Sequence, residues 1–323
     1  MSDFFSPDVP EGASLGPVVF LMGPTASGKS ALGMALARQY GMEIVNADSV
    51  QIYRGFDLGS AKPTWEEREA VRHHLLDVVA PPEVYSADRY RADAWKVIAD
   101  CHARQVVPLF VGGSGLYFRA VERGLACMPS IDPAIRQVLR EEGGRFGWPR
   151  LHERLTRLDP ELAQRIKEND SQRISQGLAV VLATGIPLSR WQRQQPTPPS
   201  WPILKLALQW PRETLYRRIE ARFDDMLERG LLREVQSLWQ AGFDREHPAM
   251  KAVGYRQLFA FFDGLCPLEE AVARAKMESR RYAKRQITWL NREAGLLGVP
   301  WNEGAFQGLA KVAEFLERHF FYL

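Results

Sequence analysis

The chain has only three cysteines, Cys101, Cys127 and Cys266, and no C-x-x-C pair joins any two of them. That spacing excludes a disulfide scaffold and a zinc ribbon. No uninterrupted apolar run approaches the ~20 residues that a membrane helix needs. The first sixteen residues carry three acids and neither lysine nor arginine, the wrong chemistry for a signal or transit peptide. Internal repeats and long low-complexity tracts are also missing. Charge of one sign is scarce: a net +3 is too small to bear on nucleic acid, so only the distribution of charge can do so. The six histidines show no metal-ligand spacing, and the pair His73-His74 reads as structural. A soluble, cytoplasmic chain without a membrane partner is expected.

What is present is enough for a packed core. Hydrophobic residues make up 46% and charged residues 25% of 323 positions, about twice the ~150-residue prior for one domain. Pro17–Met22 reads as a buried strand running into GPTASGKS, with a helix over Ala31–Tyr40 closed by Gly41. Further strands are expected at Glu43–Ala47, Leu75–Val79 and Val106–Val111, with a helix from an N-cap at Ser86 to near Arg104. Strands alternating with helices imply an α/β fold with a parallel sheet core covered by helices on both faces, and GPTASGKS after the first strand makes that core P-loop NTPase-like. Residues 1–16 are expected to be a disordered tail and 17–130 the first part of the core. A mostly helical inserted subdomain should span 131–200, leaving by a proline-rich loop over Gly185–Pro202. Residues 201–323 should supply a return strand at Ile203–Leu208. Helices should follow at Arg212–Gly230, Leu231–Gly242, Tyr255–Phe262 and Pro267–Arg292.

Three motifs carry chemistry. Gly23-Pro24-Thr25-Ala26-Ser27-Gly28-Lys29-Ser30 is a full G-x-x-x-x-G-K-[ST] between a strand and a helix. Its backbone N–H groups can cradle phosphate oxygens at a helix N-terminus, Lys29 adds a full charge, and Ser30 can hold Mg²⁺. No Walker-B acid is evident: VVPLFVGG ends in glycines, and Asp77 falls inside its strand. The cradle therefore suits a phosphate-bearing substrate other than ATP. Asp48, at the end of the second strand, can bind metal or accept a proton, and it can equally be a turn or capping aspartate. Ser114, in VGGSGLY, presents a hydroxyl at a helix start and can equally be an N-cap. Between Arg280 and Arg292 lie five basic residues and no acid. Arg274, Arg281, Arg285 and Arg292 recur as one helical stripe, which fits RNA and fits a solvated face.

GPTASGKS, ADSVQIYRGFDLGSAKP and VGGSGLY, in this order, resemble the tRNA dimethylallyltransferase (tRNA isopentenyltransferase) family. The likeness continues through Gln172-Arg173, Arg217–Val235, Lys251–Arg256 and Arg280–Arg292. It implies transfer of a dimethylallyl group from dimethylallyl diphosphate to N6 of adenosine 37 of tRNA, beside the anticodon. By that resemblance Thr25–Ser30 would hold the diphosphate with Mg²⁺, bound by Ser30 with Asp48 as a second candidate oxygen. Asp48 would take the amino proton, Ser114 would bond the bridging oxygen, and Lys29 and Arg222 would face the diphosphate. The tRNA anticodon stem-loop would meet Asp48, Ser49, Val50, Gln51, Ser114 and Arg136. It would also meet Gln172, Arg173, Ile174, Ser175 and Gln176 of the helical insertion, and Lys251, Ala252, Val253, Gly254, Tyr255 and Arg256. The basic stripe, through Arg281 and Arg285, would grip RNA from a remote helix without altering turnover.

Four departures from the family pattern stand out: Ser30 and Ser114 where threonine is commoner, Lys251 where arginine is usual, and Gln176 in place of an arginine. Without the zinc finger of eukaryotic relatives, a bacterial-type monomer with no protein partner is implied. A small-molecule kinase, an adenylate isopentenyltransferase acting on free AMP or ADP, and a non-catalytic nucleotide-gated RNA-binding protein remain as rivals.

Overall fold

The computed structural model describes residues 16–125, 131–193, 201–300 and 304–319. The expected tail up to residue 15, Cys127, and positions 194–200 of the expected exit loop lie outside the described residues. The chain runs β1 (Val18–Met22), α1 (Lys29–Tyr40), β2 (Glu43–Ala47), α2 (Trp65–Ala70), β3 (His73–His74), α3 (Ala87–Ala103), β4 (Pro108–Gly112) and α4 (Gly115–Arg123). Next come α5 (Pro133–Phe146), α6 (Trp148–Leu158), α7 (Pro160–Ala163), α8 (Ser171–Thr184) and α9 (Leu188–Arg193). The last part holds β5 (Ile203–Gln209), α10 (Arg212–Glu228), α11 (Leu231–Gln240), α12 (Tyr255–Phe262), α13 (Leu268–Leu290), β6 (Leu296–Pro300) and α14 (Gly304–His319).

Six parallel strands form one sheet in the order β3-β2-β4-β1-β5-β6. Alternation along β1 explains its two buried faces. Val18, Phe20 and Met22 enter one apolar cluster and Val19 and Leu21 the other, so the strand is covered on both sides. Chain contacts divide the protein into a sheet unit and a smaller unit over 122–198. The smaller unit has its own core, with Leu139, Leu151, Leu155, Leu162, Ile174 and Leu178 packed together.

Several boundaries follow from local chemistry. Gly41 closes α1 in the left-handed region, and the Ser86 hydroxyl caps α3 by accepting the Arg89 N–H. The strand expected over Leu75–Val79 is not formed. β3 is confined to His73–His74, and Leu75 and Asp77 take positive φ of 58° and 55°, which no ladder accommodates. Asp77 is instead committed to Lys62 (2.7 Å) and Arg68 (2.7 Å). Burial works against the Asp77 charge, but those two cations outweigh it and hold the carboxyl below its usual value. The expected exit loop contains α9, because Leu188 and Ser189 are buried and the Ser189 N–H donates to Asp159 (2.9 Å). The edge strand β6 and the helix α14 had no counterpart in the sequence reading.

Candidate functional site

Three adjacent strands, β2, β4 and β1, end level with one another, since Gly112 is in register with both Ala47 and Met22. Each strand is followed by one of the three sequence motifs. Parallel sheets bind ligands at this end, so register alone gathers the phosphate loop, Asp48 and Ser114.

The phosphate loop follows β1 and turns through Ala26 (φ 62°) and Gly28 (φ 86°), the latter opening α1 where glycine adopts the left-handed region without penalty. Its outer carbonyls are held by groups that the sequence reading missed. Arg218 Nε donates to the Ala26 carbonyl (3.0 Å) and Trp210 Nε1 to the Ser27 carbonyl (2.8 Å). The Arg218 guanidinium lies 4.4 Å from the Trp210 ring centroid, so the two braces support one another. One turn further along α10, Arg222 donates to the Thr25 hydroxyl. Burial pushes the Lys29 ammonium down to about 8; the Asp48 charge opposes that shift and Arg222 adds to it. Burial likewise lowers Arg222, again opposed by Asp48. Both cations are partly buried within the field of the Asp48 carboxylate.

Asp48 is fixed by Asn46, a buried residue at the penultimate position of β2. The Asn46 carbonyl oxygen Oδ1 accepts the Asp48 N–H (2.9 Å), and its Nδ2 donates to the Asp48 carbonyl (3.1 Å). Asp48 Oδ1 accepts the Val50 N–H (2.8 Å), which is the Asx turn that the sequence allowed as an alternative role. The Ser114 hydroxyl accepts the Ser49 N–H (3.2 Å), tying the β4 end to the Asp48 loop. A hydroxyl that accepts here still has its own proton to donate.

From α13, Gln286 joins two of the motifs. It accepts the Thr25 N–H through Oε1 (2.9 Å) and donates from Nε2 to the Gly113 carbonyl (3.0 Å). A Cβ on Gly113 would stand 2.2 Å from that Nε2, so glycine is required for the amide to enter. The i, i+4 spacing that puts Tyr282 and Gln286 on one helix face was legible, but nothing in the sequence said what that face meets.

A cavity of ≈ 350 Å³ is lined by Thr25, Asp48, Ser49, Val50, Arg222, Phe223, Lys251, Ala252, Val253, Tyr255, Tyr282 and Arg285. The helix carrying Arg285 is therefore not remote from the site, contrary to expectation. Other members of the basic stripe are paired on the surface, Arg274 with Glu270 and Arg281 with Glu278 (2.6 Å). Gln51 donates to the Ser60 (2.9 Å) and Ala61 (3.1 Å) carbonyls and lines a cavity with Lys29 and Asp48. Tyr255 is buried, and its hydroxyl donates to Glu234 (2.5 Å). Gly254 starts α12 at φ 95°, and Arg256 is exposed. In the helical unit Arg136, Gln172, Arg173 and Gln176 are exposed and Ser175 is partly so. The Ile174 side chain is fully buried in that unit's core and cannot reach a ligand, which corrects its expected place on a tRNA-facing surface.

One grouping elsewhere has the composition of a metal site. Ligand atoms of Glu43, His74 and Cys101 lie within 4.8 Å of one another at the start of β2. The Glu43 carboxylate, however, already receives both Arg104 terminal nitrogens at 2.6 and 2.7 Å, which holds its carboxyl down to about 2. Burial pushes the Cys101 thiol up to about 12. A guanidinium occupies the place a cation would take.

Fold and site together define a P-loop α/β protein whose cradle faces a carboxylate across a shared cavity. The family model described as IPP transferase matches residues 51–293, and the chain belongs to that family. It is 50% identical over 302 residues to the tRNA dimethylallyltransferase of Magnetococcus marinus, covering 92% of this chain and 98% of that one. The tRNA dimethylallyltransferase of Alkalilimnicola ehrlichii is 46% identical over 303 residues, covering 93% and 96%. Among solved structures, the tRNA isopentenylpyrophosphate transferase of Bacillus halodurans matches with TM-score 0.70 and 32% identity over 94% of this chain and 98% of that one. A eukaryotic dimethylallyltransferase acting on tRNA matches with TM-score 0.80 and 26% identity over 94% and 80%.

Proposed function

We propose that this protein transfers a dimethylallyl group from dimethylallyl diphosphate to N6 of adenosine 37 in tRNA, releasing diphosphate. The observation that carries this reading is the convergence of Thr25, Lys29, Arg222 and Asp48 on one cavity, a cationic cradle facing a carboxylate. In the reaction the allylic C–O bond breaks, the N6–C bond forms, and the amino proton passes to Asp48. An adenine amine is a poor nucleophile because its lone pair is delocalised, so a base placed at it contributes ~10²–10⁴-fold. Lys29, Arg222 and the loop N–H groups stabilise the charge growing on the leaving diphosphate. Ser114 donates to the bridging oxygen, steadied by the Ser49 N–H that its own oxygen accepts.

The Ser30 hydroxyl and the Asp48 carboxylate line the same cavity as Lys29, and two hard oxygen donors suit Mg²⁺, which keeps its remaining positions for water and phosphate oxygens. When bound, such an ion would neutralise diphosphate charge. The ≈ 350 Å³ cavity, with Lys251 and Arg285 at its wall, is assigned to the flipped adenosine and its anticodon loop. Exposed Arg136, Gln172, Arg173 and Gln176 of the helical unit are assigned to the anticodon stem. A monomer acting on cytoplasmic tRNA completes the reading. No helix among the described residues is long and apolar enough to cross a membrane.

Incubation with bulk tRNA and labelled dimethylallyl diphosphate, followed by digestion to nucleosides, tests the reading. The expected product is N6-dimethylallyladenosine. Label appearing instead in added AMP, with none in tRNA, would overturn it in favour of a free-nucleotide acceptor.

A further inference from the structure

The turn over residues 57–61 borders every part of the site. Gly59 and Ser60 line the ≈ 350 Å³ cavity beside Asp48, and Ser60 and Ala61 line the smaller cavity that holds Lys29. Asp57, Leu58 and Ala61 line a third, of ≈ 910 Å³, along Ala26–Gly28. Gln51 Nε2 holds the turn's carbonyls at Ser60 and Ala61. Its N–H groups are held by Glu234 of α11: Oε2 accepts the Leu58 N–H (2.7 Å) and Oε1 the Gly59 N–H (3.2 Å). Oε1 also accepts the hydroxyl of Tyr255, the first residue of α12 (2.5 Å). The buried Tyr255 ring packs on Phe56, just before the turn, with centroids 4.8 Å apart. A Cβ on Gly59 would stand 2.5 Å from the Tyr255 Cζ, so only glycine lets the ring and the turn come this close.

We propose that Glu234 is a positioning residue for the acceptor: it locks the 57–61 turn to the start of α12 and so fixes the cavity in which the adenosine meets Asp48. The inference rests on the prenyl-transfer reading and deepens it. Lys251, Ala252 and Val253, just before Tyr255, line the same ≈ 350 Å³ cavity as Gly59 and Ser60. Glu234 therefore joins two stretches of one wall, standing 175 residues from Gly59 and 21 from Tyr255 along the chain. Its three donors are two backbone N–H groups and a phenol. Hydrogen bonds to an ionised acceptor are the strong and short ones, so the carboxylate fixes the positions of all three. The phosphate loop has its own braces in Arg218, Trp210 and Gln286, and Asp48 is held by Asn46. The donor side is thus supported separately, and loosening Glu234 should be felt by the acceptor. A shift of ~1 Å in a group that orients a reactant can cost ~10²-fold in rate.

The test measures kcat/KM for tRNA and the binding of inorganic diphosphate in the wild type, Glu234→Gln, Tyr255→Phe and Gly59→Ala. In Glu234→Gln the amide must turn its own N–H toward one of the three donors, so that contact is lost. Its kcat/KM for tRNA should fall ~10- to 100-fold, while inorganic diphosphate binds as in the wild type. Tyr255→Phe should move the same way by less. The double variant should be no worse than Glu234→Gln alone, since both changes cut one clamp. Gly59→Ala keeps both side-chain partners and separates turn and ring by its methyl group; it should reproduce the loss for tRNA. If Glu234→Gln does not fold, Tyr255→Phe and Gly59→Ala decide. Equal loss of tRNA turnover and of diphosphate affinity makes Glu234 a general stabiliser and overturns the proposal, as does an unchanged kcat/KM for tRNA in the variants. Failure of the wild type to prenylate tRNA overturns the prenyl-transfer reading instead. Titration of tRNA without donor then decides the clamp: weaker binding in Glu234→Gln supports it, and equal binding rejects it.

Discussion

The sheet unit and the helical unit bury different things. At the strand ends of the sheet unit, Ser27, Asn46, Lys62 and Gln286 are all under 9% exposed, and Ala26, Leu75 and Asp77 carry positive φ. Among the described residues of the helical unit, Asp159 and Ser189 are the buried polar residues, and the Asp159 carboxylate accepts the backbone N–H groups of Leu162 and Ser189. Its core is otherwise leucine, isoleucine, valine and alanine. Burying polar groups costs stability unless each finds a partner, so a fold concentrates them where their positions matter. The sheet unit accepts that cost to hold charge and hydroxyls around a ligand. The helical unit does not, and what chemistry it has lies on its exposed face.

The sharpest way to break this contrast is Asp48→Ala. Turnover should fall by at least ~10²–10⁴-fold, because the proton acceptor is lost together with one oxygen assigned to the cation, while Lys29 and Arg222 still bind diphosphate. Single-turnover rates close to wild type would remove Asp48 from the mechanism and make it a turn residue.

Next in size is Lys29→Ala, which should weaken inorganic diphosphate and slow transfer by ~10²–10³-fold, as expected for loss of one group that faces leaving-group charge. The depressed Lys29 pKa gives a matching pH effect. Below about 8 the ammonium is charged and attracts diphosphate; above it the charge is lost, so affinity in the free enzyme should drop as pH rises through that value. Titration calorimetry across roughly pH 7 to 9, the window around that pKa, should show the drop in wild type and its absence in Lys29→Ala.

A paired measurement separates the units by stability. Gln286→Leu leaves the Thr25 N–H and the Gly113 carbonyl without their partner, and Asp159→Ala does the same to the Leu162 and Ser189 N–H groups. Each should cost about 1–3 kcal/mol by denaturant unfolding. Only Gln286→Leu should also weaken diphosphate. Equal loss of diphosphate affinity in Asp159→Ala would show that the two units do not divide the work as described.

The smallest effect should come from the helical unit's exposed arginines. Arg136→Ala and Arg173→Ala should weaken tRNA modestly and flatten the salt dependence of binding by about 1 in log–log slope for each phosphate no longer gripped. Donor affinity should not move. Fluorescence titrations at several salt concentrations check this, and an unchanged slope would mark that face as ordinary solvated surface.

Much of the sheet unit was legible in the residues. A complete phosphate-loop pattern between strand and helix, and apolar strands at short spacing, dictate a parallel sheet with a cradle at its C-terminal edge. Helix limits at Ser86 and Gly41 followed from capping chemistry, which is local and acts within four residues. Local reading failed where distant groups outbid propensity. Leu75–Val79 has the composition of a strand, yet Lys62 and Arg68 draw Asp77 out of extended geometry. Asp48 and Ser114 were individually ambiguous between capping and chemistry, and sequence could not choose. Strand order brings them together, because placing β4 between β2 and β1 puts both residues beside the phosphate loop. The same holds for Arg222 and Gln286, 197 and 261 residues from Thr25 along the chain. Sequence determines which residues can carry charge, turn a loop or cap a helix, since those properties belong to a residue and its near neighbours. Which of them meet across a cavity is set by sheet register and helix packing, and these are fixed only when the whole core closes.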